Sequence, residues 1–138
     1  MNTYNINDAS LNNLSSYQKF VKDNSGIGYL RIRAYGASEA VPIEGMNIEV
    51  STQLEDNSKL IFFEGKTDSS GMIDRLSLPA PKEGSDNLIA PKKTVYDIKA
   101  NYDGTLENFK VNIYDGICVQ QIINVVPNTL VRGISYGD

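Results

Sequence analysis

Between residues 28 and 127 the chain alternates apolar and polar residues in seven successive runs, each closed by a turn signal. A period of two places successive side chains on opposite faces of an extended strand, so this pattern excludes a helical fold for most of the chain. The run from Gly28 to Tyr35 shows it most plainly. Leu30, Ile32 and Ala34 share one face, and Tyr29, Arg31, Arg33 and Tyr35 share the other. Met46, Ile48 and Val50 alternate with Asn47, Glu49 and Ser51. Lys59 to Thr67 forms a third run around Leu60-Ile61-Phe62-Phe63, and Met72 to Leu78 a fourth. Tyr96, Ile98, Ala100 and Tyr102 alternate with Asp97, Lys99 and Asn101, and Phe109, Val111 and Ile113 with Lys110 and Asn112. Ile117 to Val126 is apolar on both faces in places, as expected of a central strand.

The turns carry their own chemistry. Pro42 and Gly45 bracket the first connection, Glu55-Asp56-Asn57-Ser58 makes the second and Asp68-Ser69-Ser70-Gly71 the third. Asp103-Gly104 and Asp115-Gly116 are strong turn dipeptides, and the latter, between two alternating runs, predicts a hairpin. Pro79 to Pro91, with Pro81 and Gly84 inside it, reads as a surface loop. Seven short strands at this spacing predict an all-β fold, a seven-stranded Greek-key β-sandwich. The 138 residues fit one domain. Residues 1–27 then form an N-terminal arm, 28–127 the sandwich and 128–138 a C-terminal tail. In the arm, Leu11, Leu14, Tyr17 and Val21 lie near helical spacing, with Asp8 placed to cap the start. A lone helix of about 13 residues is marginal in water, so it must dock on the sandwich or on a partner. The tail keeps Leu130, Val131, Ile134 and Tyr136, more apolar than a solvated tail requires.

The chain has no His, no Trp and a single cysteine, Cys118. That excludes a Ser-His-Asp triad, a Cys-His pair, a His-ligated metal and an internal disulfide. A net charge of −4 argues against a nucleic-acid partner. The first residues carry no basic start and no apolar run, so no signal peptide is expected. No apolar stretch is long enough for a membrane partner, and cytoplasmic synthesis is the expectation. Lys outnumbers Arg, and Asn and Ile are abundant, as in an AT-rich bacterial or phage genome.

Each chemically suggestive residue has a structural reading beside its functional one. Asp68 to Asp74 invites a Ca²⁺ site, but two carboxylates six residues apart fit a strand-connecting turn better. Asp97, Asp103 and Asp115 could pair for acid–base work, yet two of them precede turn glycines. Cys118 has no base to activate it and reads as a buried structural thiol. Lys92-Lys93 is too short for a basic patch. The stripe Tyr29, Arg31, Arg33 and Tyr35 is a candidate interaction surface, for a sugar, a base or a protein. No catalytic residue, metal ligand or cofactor is expected.

Gly28-Tyr29-Leu30-Arg31-Ile32-Arg33, Pro42-Ile43-Glu44-Gly45-Met46-Asn47-Ile48-Glu49-Val50 and Thr67-Asp68-Ser69-Ser70-Gly71-Met72-Ile73 resemble the carboxypeptidase-regulatory-like, prealbumin (transthyretin)-like domain. Leu76 to Pro81, Tyr96 to Ala100 and Ile122 to Pro127 are similar to a clostridial subset that includes the N-terminal region of spore cortex-lytic enzymes. The likeness spans residues 28–127 and carries over no catalytic residues. Ser135-Tyr136-Gly137-Asp138 resembles the C-terminal tetrapeptide of the hydroxyisourate hydrolases of this fold. Those depend on histidines, so that activity is rejected and the chain is not expected to be an enzyme. A single sandwich with a helical arm and an apolar tail suits a structural or interaction subunit of a larger assembly, and the clostridial likeness suggests a phage-tail-like or spore-associated one. In that reading the N- and C-terminal arms dock on other protein subunits. The alternative is a peptidoglycan or carbohydrate-binding accessory module, with Tyr29, Tyr35 or Tyr102 as its aromatic platform.

Overall fold

A computed structural model describes residues 2–37, 40–84 and 92–125. The seven runs become seven strands at nearly the expected places: β2 (Gly26–Gly36), β4 (Asn47–Gln53), β5 (Lys59–Lys66), β6 (Met72–Ala80), β7 (Thr94–Tyr102), β8 (Thr105–Ile113) and β9 (Cys118–Val125). Among the described residues two short strands raise the seven expected to nine, β1 (Thr3–Asn5) and β3 (Val41–Pro42). They form a β-sandwich. One sheet has the order β1-β5-β4-β7-β8. The other centres on β2, which pairs with β9 in parallel and with β6 and β3 antiparallel.

The inward faces are those of the alternation. Leu30, Ile32 and Ala34 of β2 meet Ile48 and Val50 of β4 and Ile98 and Ala100 of β7 in one continuous core. Tyr96 is fully buried there, and its hydroxyl donates to the Pro79 carbonyl, joining the two sheets. Burial pushes the Tyr96 phenol upward from its ordinary pKa.

The apolar run of β5 cannot alternate, and a bulge resolves it. Val50 faces Phe63 and Ser51 faces Ile61, so Phe62 is the extra residue. Leu60 then lies outside the main core and leaves an apolar gap beside it, while Phe62 packs against both that core and the Leu60 cluster. The N-terminal segment fills that gap. β1 lies parallel to β5 with Tyr4 opposite Leu60. A 3₁₀ turn (Ala9–Asn13) follows and drops Leu11 onto Leu54 and Leu60, and Leu11 is only 1% exposed. Helix α1 (Ser15–Asp23) places Phe20 against Phe62, whose ring meets Tyr96 edge-on. Asp8 does not cap this helix. Its carboxylate accepts the Asn5 backbone N–H at 2.8 Å, and Leu14 holds the N-cap position.

The two Asp-Gly dipeptides behave differently. Asp103 and Gly104 both have positive φ, and Tyr102 pairs with Thr105, which is a two-residue hairpin turn. At Asp115-Gly116 only the glycine has positive φ. The expected hairpin is absent: the chain crosses from β8 to the other sheet, and β9 runs parallel to β2. Asp115 anchors that crossing. Its carboxylate accepts the N–H groups of Glu83 and Ile27, each at 3.0 Å, and these bonds hold it below the usual aspartate range.

Candidate functional site

The outward face of β2 carries Tyr29, Arg31, Arg33 and Tyr35, all half-buried, as the alternation requires. The structure adds Arg75. Between the pairs Leu30–Leu76 and Ile32–Ile73, Arg31 alone faces both Asp74 and Arg75, a bulge in β6. Arg75 takes φ 54 there, a left-handed conformation that a residue with a Cβ adopts at a cost of about 1–2 kcal/mol. The outcome is an ordered array. The Arg75 guanidinium lies 4.2 Å from the Tyr29 ring centre, and that of Arg33 lies 5.1 Å from Tyr35. Arg31 Nε donates to Asp74 Oδ1 at 2.8 Å. Arg33 Nε is shielded from solvent with no hydrogen-bond acceptor among the described residues. β9 flanks this face with Cys118, Gln120, Ile122 and Asn124 in register with Tyr29, Arg31, Arg33 and Tyr35. Cys118 is therefore exposed, and the expected buried thiol is corrected. Its backbone begins β9 at the rim of the sheet, where nothing described covers the side chain.

The outer face of the five-stranded sheet carries a second feature. Ser51 is a short side chain among long ones, and the surface dips over it into a hollow of about 420 Å³. Lys59 faces Gln53 and Glu49 faces Glu64, so the 2.6 Å Lys59–Glu49 ion pair reaches across the Ser51–Ile61 row between them. On the other side Lys110 pairs with Asp97 at 2.6 Å. A shallower depression of about 310 Å³ adjoins it and shares Glu49 and Lys99.

The remaining candidates resolve into structure. Asp68 accepts the N–H groups of Ser70 and Met72 and closes a turn at Gly71. Among the described residues no three His, Cys, Asp or Glu gather to hold a metal. Asp97 is engaged by Lys110, Asp103 forms the hairpin turn and Asp115 ties the crossing. The N-terminal arm is not a free docking element. Leu11 is buried, and Leu14 and Tyr17 pack beside it, because the uncovered end of β5 needs them. Of that stripe Val21 stays exposed. Leu130, Val131, Ile134 and Tyr136 lie outside the described residues. As a platform for sugars, Tyr29 and Tyr35 each give one ring face to a guanidinium, and Tyr102 packs on the core. Among the described residues no helix is long and apolar enough to cross a membrane.

Alternation alone located the β2 stripe, but Arg75 was missed because a bulge displaces it. The hollow was missed because its walls come from four strands whose adjacency is not written in any one of them.

No family model matches the chain, and no curated protein matches it by sequence. Solved structures of similar fold include sea bream transthyretin in complex with thyroxine, 15% identical over 71% of this chain and 86% of that one, with a TM-score of 0.46. A second transthyretin structure, from Sparus aurata, is 15% identical over 70% of this chain and 90% of that one, with a TM-score of 0.43. A 5-hydroxyisourate hydrolase from Klebsiella pneumoniae is 15% identical over 72% of this chain and 92% of that one, with a TM-score of 0.45. The strand pairing itself shows the expected fold class, a β-sandwich of two sheets. The expectation that the chain is not an enzyme is corrected, since proteins of similar fold include an enzyme.

Proposed function

We propose that this prealbumin-like sandwich is an interaction subunit of a larger assembly, docking through the Tyr29–Tyr35 face of its second sheet onto an acidic surface of a partner protein. One observation carries this reading. Three of the chain's four arginines, Arg31, Arg33 and Arg75, converge on that one face with two tyrosines. The only carboxylate paired with them among the described residues is Asp74. A cationic patch on a chain of net charge −4 is a local design and not a by-product of composition. Arginine and tyrosine are the residue types that concentrate binding energy at interfaces. Guanidinium groups already seated on rings lose less side-chain freedom on docking. The strained φ of Arg75 is consistent with a residue kept for binding. The clostridial likeness of the sequence is the basis for placing such an assembly in a spore or a phage-like particle.

The test is affinity purification from the producing cell with wild type, with Arg33→Glu/Arg75→Glu and with Lys22→Glu, an exposed position on α1. The expected result is a stoichiometric partner held by wild type and by Lys22→Glu, lost from the double variant, and released by moderate salt. A partner retained equally by all three, or a wild-type chain recovered as a bare monomer, overturns the reading.

A further inference from the structure

The hollow over Ser51 lies on the sheet opposite the arginine face and has its own logic. In the β4–β7 register Glu49 stands directly opposite Lys99, the position from which a cross-strand ion pair forms. The Glu49 carboxylate is instead engaged by Lys59, across the sheet in the other direction. Lys99 is left on the rim without an ion-pair partner among the described residues. Beside it in the β7–β8 register is Asn108. Farther along the wall the Gln53 amide donates to Asn57 Oδ1 at 3.0 Å, which leaves the Gln53 oxygen and the Asn57 N–H₂ unspent.

We propose that this hollow binds an acidic sugar. Its carboxylate pairs with Lys99, and its hydroxyls exchange hydrogen bonds with Asn108, the Gln53–Asn57 pair and Asp97. The chemistry selects this class in three steps. The unpaired ammonium calls for an anionic group on the ligand. The rest of the wall holds both donors and acceptors, in Asn108, Gln53, Asn57 and Asp97, which suits a hydroxyl because it both donates and accepts. A bare phosphate answers the ammonium but brings no set of hydroxyls to the amides and carboxylates of the wall. The volume of about 420 Å³ falls within the range of small-molecule sites. This inference does not rest on the docking face, which lies on the other sheet.

The experiment titrates ¹⁵N-labelled full chain at low ionic strength with a galacturonate trisaccharide, a glucuronate-containing trisaccharide, the neutral galactose trisaccharide and inorganic phosphate. An acidic trisaccharide is expected to shift amides of β4, β7 and β8, and the neutral one to bind on the order of tenfold more weakly. Lys99→Gln, at an exposed position, should cost the acidic sugar on the order of tenfold in affinity and leave the neutral one unchanged. Lys99→Arg should restore binding, and thermal unfolding of both variants should match wild type. The inference is overturned by any of four results: neither acidic sugar binds, phosphate competes as tightly, the shifts map to the Tyr29–Tyr35 face, or Lys99→Gln binds as wild type does.

Discussion

Leu11→Ala tests whether the N-terminal segment is part of the fold or an appendage. Leu11 is 1% exposed and meets Leu54 and Leu60, which are 3% and 0% exposed. Removing three carbons from such a site costs roughly 2–5 kcal/mol in comparable cores, and ~3 kcal/mol is a fair expectation here. For a 138-residue chain that lowers Tm by about 10 °C. There is a built-in ceiling: if the sandwich folds without residues 2–25, the loss stops at the free energy with which that segment docks. Guanidinium unfolding should be followed by far-UV circular dichroism and tyrosine emission, since the chain has eight Tyr and no Trp. One coincident transition, shifted in midpoint with its slope kept, marks a segment that unfolds with the sandwich. A change below about 1 kcal/mol, or an early transition seen by only one probe, would refute the claim that Leu11 seals the end of β5.

Two further outcomes follow from turns. Gly71 and Gly104 share positive φ, +74 and +80, but a Cβ on Gly104 meets nothing within 4 Å while one on Gly71 falls 2.5 Å from the Ala34 carbonyl oxygen. Gly104→Ala should cost about 1 kcal/mol and Gly71→Ala roughly 3 kcal/mol or more in denaturant titrations; equal costs would contradict the backbone clash. Asp115 is held low by the N–H groups of Glu83 and Ile27. A carboxyl depressed in the folded state stabilises it above the ordinary value of ~3.9, and that contribution drains as pH falls through the lower folded value. Asp115→Asn should therefore lose less stability than wild type between about pH 4 and pH 2 in urea titrations, and parallel profiles would show that the crossing does not use the charge.

By itself the sequence determined which residues face inward. Period-two alternation is a property of the chain, so Leu30, Ile32 and Ala34 had to share a face wherever β2 went, and Tyr29, Arg31, Arg33 and Tyr35 had to share the other. It also marked a turn at Asp103-Gly104, where both residues take positive φ, though not that this turn, of the two Asp-Gly pairs, is the hairpin. Which edge each strand finds is decided by packing. The same Asp-Gly pair at 115–116 sends β9 across the sandwich, because β2 offers a free edge and Asp115 is spent holding Ile27 and Glu83. The N-terminal arm became part of the core because the bulge at Phe62 leaves Leu60 uncovered, and no local pattern announces that. Arg75 joined the tyrosines through another bulge, and the hollow over Ser51 exists only where β5, β4, β7 and β8 lie side by side. Face is a local quantity set by the backbone period. Neighbourhood is a global one, set by which apolar surfaces remain to be covered, and both candidate sites depend on it.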